Sequence, residues 1–363
     1  MKRDVTEKLD AALLRRLYEG KLSHVSRDRI SVLVLCKRRR SAACLGRSFN
    51  VRANGEATPF LAFEATAAEI LSVASDPMVL AVAEDVSWRT WPVIQQGVRP
   101  ANDRVYERYK VGPLETLSGD GVRVLVADTG FSPHPDIEEP VEVVDVTGGK
   151  DGRDFHGHGT FIAGQLLARG PYPGLCPGAE LIAVKIFDSN DMTSRSRIIS
   201  ALDVAASSSV DVVSMSFGGP LPDPITDAVL SDLAARGVVL VASAGNEGPA
   251  EGTISFPGGH ESVLAVGAIT FDGELADFSS RGWRGQSREK PDFVAEGVDL
   301  VSLASPDGRM GRPVSKGYVQ ASGTSFSAPV AAAIVCLFLE RYPGTRAEEV
   351  REALRSCCEP VVV

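Results

Sequence analysis

In Val122-Arg-Val-Leu-Val-Ala-Asp-Thr-Gly130, a nearly continuous apolar run ends in an aspartate and a glycine-containing turn, and this pattern indicates the fold class. Apolar runs without polar alternation are typical of strands covered on both faces, as in a parallel sheet. Similar runs follow at 181–186, 211–215, 238–242 and 263–266. Candidate helices near 160–169, 195–208 and 225–236 separate them. The alternation predicts a three-layer α/β domain with a mostly parallel central sheet.

Polar residues follow two of these predicted strands, where α/β proteins gather their functional groups. Asp128 comes directly after the run 122–127 and could orient an imidazole, although an aspartate before such a turn also suits a purely structural role. Asn246 follows the run 238–242, in Ser243-Ala-Gly-Asn-Glu-Gly248. Its side-chain amide can donate a hydrogen bond to a developing negative oxygen.

A histidine stands at the predicted start of an apolar helix. His158 lies in Phe155-His-Gly-His-Gly-Thr-Phe-Ile-Ala-Gly164, and with an ordinary pKa of about 6.5 histidine suits proton transfer near neutral pH. A metal site is the competing interpretation, because Asp154, His156 and His158 alternate. The sequence disfavours a metal, since no further cluster of His or Cys supplies a third and fourth ligand.

A serine precedes the most apolar helix of the chain. Ser325 lies in Gly323-Thr-Ser-Phe-Ser-Ala-Pro-Val330. The free N–H groups and positive dipole of a helix N-terminus stabilise an alkoxide or an oxyanion there. The alternative is that Ser325 only caps the helix. The motif is not the Gly-x-Ser-x-Gly turn of α/β-hydrolases, since position 327 is serine.

These segments, in this order, resemble the subtilisin family of serine proteases. The resemblance runs from about residue 105 to residue 356 and includes phrases without catalytic residues, Phe278-Ser-Ser-Arg-Gly282 and Lys290-Pro-Asp-Phe-Val-Ala295. It implies the three-layer fold of that family and hydrolysis of peptide bonds.

The resemblance also implies a role for each polar residue. Ser325 is expected to be the nucleophile and His158 the general base and then the general acid. Asp128 is expected to hold the imidazolium. Asn246 and the backbone N–H of Ser325 are expected to bind the oxyanion.

Substrate-binding residues are implied in the same way. Thr193–Gly219 resembles the substrate-binding stretch of the family, in which Ser216, Phe217 and Gly218 are expected to pair with the substrate backbone as an added strand. The S1 pocket is expected to be lined by Ser243, Ala244, Gly245, Glu247 and Ser255. Glu247 at the rim would favour a basic P1 side chain, but an exposed glutamate without a role explains it equally well.

The residues before this region form a different pattern. A stripe of Leu9, Leu13, Leu14 and Leu17 predicts an amphipathic helix within 1–27. Strands near 30–35, 60–64 and 78–83 and a helix near 66–74 predict a small α+β unit, which resembles the inhibitory propeptide of the family. The stretch 37–47 is short and basic where that propeptide has its first helix, and we interpret Lys37–Arg40 as a solvated loop rather than as an electrostatic patch.

The predicted organisation therefore has four parts. They are a helical extension over 1–27, a propeptide-like inhibitory domain over 28–88, a linker with a processing site over 89–105 and a subtilisin-like catalytic domain over 106–363.

Charge, apolar runs and cysteines limit the partners and the cellular location that the sequence supports. The net charge of −9 does not attract phosphate, so we expect no nucleic-acid partner. The N-terminus is charged where a signal peptide has its apolar core, and the longest apolar run, Val330–Leu339, is shorter than the roughly 18 residues of a membrane span. The six cysteines show no zinc-type pairing; we interpret them as reduced, with pairing in an oxidising compartment as the alternative. We expect a cytoplasmic protein without a membrane partner.

No cofactor is expected to be required. The loop Ala168-Arg-Gly-Pro-Tyr-Pro-Gly174 lacks the Asn-rich calcium-binding insertion of secreted family members. Asp136 matches one of their calcium ligands but the other ligands are not visible, which leaves calcium open. Glu296 stands where the family usually has proline.

The residues together predict a serine endopeptidase that acts on protein or peptide substrates through an acyl-enzyme. We expect it to be made as a self-inhibited zymogen, with its own N-terminal domain as the inhibitor. A non-catalytic peptide-binding or scaffold protein is the alternative, disfavoured because all four polar residues are present in their glycine-rich contexts. A small-acyl esterase would need the Gly-x-Ser-x-Gly turn and the chain order Ser, Asp, His.

Overall fold

The computed structural model describes residues 3–18, 28–90, 108–109, 114–138, 141–219, 222–282 and 289–358. The elements of the N-terminal region are α1 (Arg3–Glu7), α2 (Ala11–Tyr18), β1 (Ile30–Cys36), α3 (Arg39–Gly46), β2 (Val51–Asn54), β3 (Phe60–Ala65), α4 (Ala67–Ala74), β4 (Val79–Glu84) and β5 (Ser87–Arg89). The remaining elements are β6 (Arg123–Asp128), β7 (Glu142–Asp145), α5 (His158–Leu167), β8 (Glu180–Lys185), β9 (Met192–Ser194), α6 (Arg195–Ser207), β10 (Val212–Met215), α7 (Pro224–Ala235), β11 (Val239–Ser243), β12 (Val263–Ile269), β13 (Phe293–Glu296), β14 (Leu300–Leu303), β15 (Arg312–Ser315), β16 (Tyr318–Ala321), α8 (Thr324–Arg341) and α9 (Ala347–Cys357).

The first of two compact units consists of the described residues up to Trp88, together with 193–208 and 222–232. Its sheet has the order β2-β3-β1-β4, and all neighbouring strands are antiparallel. Thr66 and Glu69 form a capping box that starts α4. The predicted strands β1, β3 and β4 and the predicted helix α4 are confirmed.

The solvated loop predicted for 37–40 is wrong at its last two residues, since α3 begins there and spans Arg39–Gly46. Arginine, alanine and leucine favour helix, and Ala42 is buried in the core of this unit. Arg39 and Arg40 are exposed. The stretch therefore has one apolar and one charged face, as a surface helix does. The apolar face is too short to be recognised as a helical pattern among the charged residues.

The single helix predicted for the N-terminus is also wrong over the described residues 3–18, because α1 and α2 are separated near Asp10. The N–H of Asp10 donates to the carbonyl of Val82 (3.0 Å), and the N–H of Val82 donates to the carbonyl of Lys8 (2.7 Å). Backbone groups paired with β4 in this way cannot continue a helix. The apolar stripe is confirmed, with Leu9 and Leu13 buried in the core. Residues 19–27 lie outside the described part.

Helix α6 is bound within this unit by buried charges. Arg195, its first residue, forms ion pairs with Asp10 (3.0 Å) and Asp223 (3.3 Å), and all three side chains are nearly inaccessible. Asp203 accepts hydrogen bonds from the N–H groups of Glu56 (2.6 Å) and Ala57 (2.9 Å).

The predicted domain boundaries stay a prediction, and residues 91–105 of the predicted linker lie outside the described residues.

The second unit contains the described parts of 89–192, 209–221 and 233–363. Its seven-stranded sheet has the order β13-β12-β11-β10-β6-β8-β7, and neighbouring strands are parallel. Every residue of β11 and β12 is buried, as in strands covered on both faces. Helix α8 packs across β10 to β13, and α5 packs on β6 and β8. The predicted mostly parallel central sheet is confirmed.

The strand register gathers several chain segments at one edge of this sheet. Met215, the last residue of β10, lies opposite Ala127 of β6 and Ala242 of β11. The residues that follow these positions therefore emerge side by side at the carboxyl ends of the strands, where parallel sheets form their sites.

One helix among the described residues, α8, is long and apolar enough to cross a membrane by length and composition alone. It is a core helix in this protein, because 78% of its residues are buried.

Candidate active site

Asp128 and His158 form a buried hydrogen-bonded pair. Asp128 ends β6, His158 begins α5, and Nδ1 of His158 lies 2.8 Å from Oδ1 of Asp128. The side chain of His158 is 10% exposed and that of Asp128 is 2% exposed. The N–H of Thr129 donates to the same carboxylate oxygen (2.7 Å). The carboxylate thus holds the proton on Nδ1 and leaves Nε2 of the imidazole as the proton acceptor.

The environment of His158 makes its imidazole a stronger base. Burial lowers the pKa of His158, but the charge of Asp128, the hydrogen bond to Asp128 and the charge of Asp154 together raise it above its ordinary value of 6.5. The imidazolium form is therefore stabilised. Such a group can accept a proton from a hydroxyl placed beside Nε2.

Ser325 lies at the start of α8, in a turn fixed from both sides. Its hydroxyl donates to the carbonyl of Ser216 (3.2 Å), and the hydroxyl of Ser216 donates to the carbonyl of Ser325 (2.7 Å). The ring of Phe326 packs against His158, with centroids 5.1 Å apart. Gly323 is the N-cap of α8 and no side chain caps the helix, which removes the interpretation of Ser325 as a simple cap.

Asn246 is locked to the same turn. Its Oδ1 accepts hydrogen bonds from both the N–H and the hydroxyl of Thr324, each 2.9 Å long. Because the carbonyl end of the amide is held by Thr324, Nδ2 faces the other way. A side chain at Gly323 would come within 3.4 Å of Nδ2, so this glycine keeps the space beside the amide donor clear.

The residues expected to pair with substrate, Ser216, Phe217 and Gly218, follow β10 directly. Phe217 is 4% exposed and its ring meets Phe187 edge-on, so the side chain is packed inside the protein. Gly219 and Phe256 form an antiparallel bridge. This bridge fixes the backbone directly after residues 216–218.

The residues expected to line the S1 pocket begin with Ser243, the last residue of β11. The N–H and the hydroxyl of Ser255 both donate to the carbonyl of Ala244 (2.9 and 3.3 Å). The N–H of Gly245 donates to the hydroxyl of Thr324 (3.2 Å), which joins this wall to the Ser325 turn. Ser243 is fully buried, whereas the side chain of Glu247 is exposed.

Residues 119–358 match the model of the subtilase family. The chain belongs to the subtilase family.

Similar proteins agree with this assignment. The chain is 35% identical to the serine protease AprX of Bacillus subtilis, over 67% of this chain and 62% of AprX. It is 36% identical to the human membrane-bound transcription factor site-1 protease, over 61% of this chain and 21% of that protein. The chain thus spans less than two thirds of these relatives.

The fold is similar to that of fervidolysin from Fervidobacterium pennivorans, a keratinolytic enzyme related to subtilisin. The TM-score is 0.76 at 21% identity, and the match covers 94% of this chain and 59% of fervidolysin. The predicted three-layer α/β fold and the resemblance to the subtilisin family are confirmed.

Asp154 supports the site in a way that the sequence did not suggest. This subtilase buries it completely. Its Oδ1 accepts from the N–H of Gly157 (2.7 Å) and the hydroxyl of Thr129 (2.8 Å), and its Oδ2 accepts from the N–H and hydroxyl of Thr160 (2.8 Å each). Both oxygens are therefore engaged in fixing the start of α5. An aspartate just before a helix and a threonine within it are the signal that could have indicated this role.

The alternative of a metal site at Asp154, His156 and His158 is not supported. The described residues contain no group of three or more His, Cys, Asp and Glu residues that could hold a metal ion. Burial and the neighbouring His158 lower the pKa of His156.

Lys185 is a second supporting residue that the sequence did not reveal. It lies opposite Asp128 in the pairing of β6 with β8, and its Nζ donates to the carbonyl of Thr129 (2.6 Å). Burial lowers the pKa of Lys185, and the nearby Asp154 partly offsets this effect. A buried cation thus balances the two buried carboxylates of the subtilase site.

Asp136 is hydrogen-bonded within the protein. Its Oδ2 accepts a hydrogen bond from the hydroxyl of Tyr318 (2.6 Å), and a side chain at Gly170 would come within 1.9 Å of that oxygen. Tyr318 therefore engages this oxygen and the backbone of Gly170 approaches it closely, which leaves calcium binding at Asp136 as open as the sequence left it. The expectation that no cofactor is required stays a prediction.

The Asp128→Asn variant tests the origin of the raised pKa of His158. Removing the negative charge leaves burial as the main influence, so the pKa of His158 should fall from above 6.5 to below it. An NMR titration of the histidine Cε1–H signals in wild type and variant measures this shift. Asp272→Asn, at an exposed turn, is the matched control and should leave the titration of His158 unchanged. An unshifted midpoint in Asp128→Asn would contradict the assignment.

Proposed function

We propose that this subtilase is a serine endopeptidase that hydrolyses peptide bonds through an acyl-enzyme. The observation that carries the proposal is the buried pair of Asp128 and His158 beside the helix N-terminus that bears Ser325. Membership of the subtilase family and similarity to the serine protease AprX support it.

The chemistry follows from the placement of these groups. Oγ of Ser325 attacks the carbonyl carbon of the scissile bond, and its proton passes to Nε2 of His158. The imidazolium is stabilised by Asp128 and then protonates the leaving amine, which breaks the C–N bond. A water molecule, deprotonated by His158, then attacks the acyl carbon. The ester bond to Oγ of Ser325 breaks, His158 returns its proton to Oγ, and the new carboxyl end is released.

The oxyanion that forms at each attack is bound by donors already in place. Nδ2 of Asn246 and the N–H of Ser325 are the proposed donors, and Thr324 holds the amide in the required orientation. Without substrate, the Ser325 hydroxyl donates to the carbonyl of Ser216. It turns toward His158 when a substrate arrives, since catalytic hydrogen bonds tighten in the reacting complex.

Protein and peptide segments in an extended conformation are the proposed substrates. The backbone of 216–218 would add the substrate as a strand, and the segment 243–247 with Ser255 would receive the P1 side chain. The exposed carboxylate of Glu247 would attract a basic P1 residue.

The N-terminal region is proposed to act as an inhibitor that is cut off after residue 86 and before residue 103. The likeness to fervidolysin covers 94% of the chain and therefore reaches beyond the family segment 119–358. Within the first compact unit, Asp85 accepts from the N–H (2.9 Å) and hydroxyl (2.8 Å) of Ser196 in α6, a helix of the family segment.

A cytoplasmic location is part of the proposal. All six cysteines are unpaired, which supports a reducing compartment.

Self-processing is tested by the intact mass of the purified protein. Wild type should lose roughly 90–100 N-terminal residues, whereas Ser325→Ala should keep them, because the variant lacks the nucleophile. Ser327→Ala, two residues further along the same helix, is the matched control and should be processed. Normal processing of Ser325→Ala would mean that another protease does the cutting.

The oxyanion role of Asn246 is tested by Asn246→Ala. Loss of one preorganised donor should slow the hydrolysis of labelled casein by about 10²–10³-fold, mainly in kcat, with little change in melting temperature. The exposed Asn190 offers a matched control, since Asn190→Ala should leave the rate unchanged. Full activity in Asn246→Ala would remove Asn246 from the mechanism.

A further inference from the structure

Glu296 is a buried carboxylate outside the site described above. It is the last residue of β13 and is 1% exposed. An ionised carboxylate is costly to bury unless it is paired and hydrogen-bonded. Its presence at this position therefore needs partners.

Arg108 and Tyr109 supply those partners. The guanidinium of Arg108 forms an ion pair with Oε1 of Glu296, and the hydroxyl of Tyr109 donates to Oε2 (2.5 Å). Arg108 also donates to the carbonyl of Phe271 (2.9 Å) and lies 4.6 Å from the centre of its ring. Burial, together with the charge of Glu296, raises the pKa of Tyr109, so its hydroxyl stays a donor. We call Arg108, Tyr109 and Glu296 the acidic clasp.

The residues next to the acidic clasp seat the Ser325 turn. The N–H of Gly323 donates to the carbonyl of Gly297 (2.8 Å). The N–H of Asp299 donates to the hydroxyl of Ser322 (2.8 Å). Gly297 has no room for a side chain, because a Cβ there would lie 2.7 Å from Ala268 and 2.9 Å from the carbonyl of Gly323. Any movement of the end of β13 is therefore passed to residues 322–323, directly before Thr324 and Ser325.

We propose that Glu296 is a positioning residue, which holds Arg108 and Tyr109 against the end of β13 and thereby fixes the turn that carries Ser325. The proposal rests on the proposed peptidase function for its effect on catalysis. Its structural half, the coupling between the acidic clasp and residues 322–327, is independent of that function.

Breaking the clasp from the Arg108 side should loosen the turn. Arg108→Met leaves the Glu296 carboxylate buried without its cation, so the end of β13 must shift to hydrate it. Small displacements of a reacting group can cost up to about 100-fold in rate. Replacing Glu296 as well, in Arg108→Met/Glu296→Gln, removes the charge while an amide oxygen remains for the Tyr109 hydroxyl, so the turn should regain most of its order.

Arg351→Met is the matched control, because it breaks a buried pair before the other end of the same strand. Arg351 is 2% exposed, and its Nε lies 3.4 Å from Oδ1 of Asp292, the residue before β13. Arg351→Met should lower the melting temperature at least as much as Arg108→Met. Unlike Arg108→Met, it should leave the Ser325 turn as it is in wild type.

The experiment uses the full chain and compares wild type with these three variants. Hydrogen–deuterium exchange of the peptide covering residues 322–327 reports the order of the turn, and the rate of labelling by a fluorophosphonate probe reports the reactivity of Ser325. We expect Arg108→Met to exchange faster in this peptide and to be labelled roughly tenfold more slowly or worse. We expect Arg351→Met to match wild type in both, and the double variant to recover most of the loss.

The outcomes distinguish the positioning role of Glu296 from the proposed peptidase function. Unchanged exchange in Arg108→Met, or an equal increase in Arg351→Met, would overturn the positioning role. Faster exchange with an unchanged labelling rate would also overturn it, since the clasp would then be structural only. If wild type takes up no probe even after removal of the N-terminal region, while Arg108→Met still loosens the turn, the proposed peptidase function fails and the coupling stands.

Discussion

The hydrogen bond between Asp128 and His158 is the interaction on which the rest of the site depends. It joins the end of a central strand to the start of a helix, and it places a charge in a region from which water is nearly excluded. A buried carboxylate is tolerated only if neighbouring groups compensate it. Thr129 and the His158 ring do so directly, and Lys185 does so through the carbonyl of Thr129.

Asp154 is a second buried carboxylate whose charge is compensated by neighbouring groups. Its carboxylate accepts hydrogen bonds from backbone and hydroxyl groups at the start of α5, which fixes the position of His158 in that helix. It also adds to the field that raises the pKa of His158. The imidazole is therefore positioned by two buried carboxylates that do different work. Asp128 contacts the ring, and Asp154 holds the backbone that carries it.

The sequence predicted the parts of the structure that are local. Buried parallel strands have a continuous apolar pattern, and the polar residues at their ends, Asp128 and Asn246, are visible as interruptions of that pattern. Functional contacts made by distant segments were not visible. Nothing in Val184-Lys185 shows that this lysine would lie opposite Asp128, and nothing in Ala295-Glu296 shows that Arg108 and Tyr109 would pair with the glutamate.

The wrong predictions have the same cause. A leucine stripe over the N-terminal residues suits one helix, but pairing of Lys8 and Asp10 with Val82 of β4 divides it in two. The basic residues 37–40 suit a solvated loop, but the helix that buries Ala42 in the core begins at Arg39. In both cases a contact with the core of the unit, made by a distant segment, helped to decide the conformation.

Ser325 is proposed as a nucleophile activated by His158, and mapping the adduct of a fluorophosphonate tests this role. The probe forms a stable bond only with a serine that is deprotonated by its site. Peptide mass mapping of the labelled protein should place the adduct on Ser325 alone, and Asp128→Asn should lower its yield. An adduct on another serine, or none on Ser325 after removal of the N-terminal region, would contradict the account.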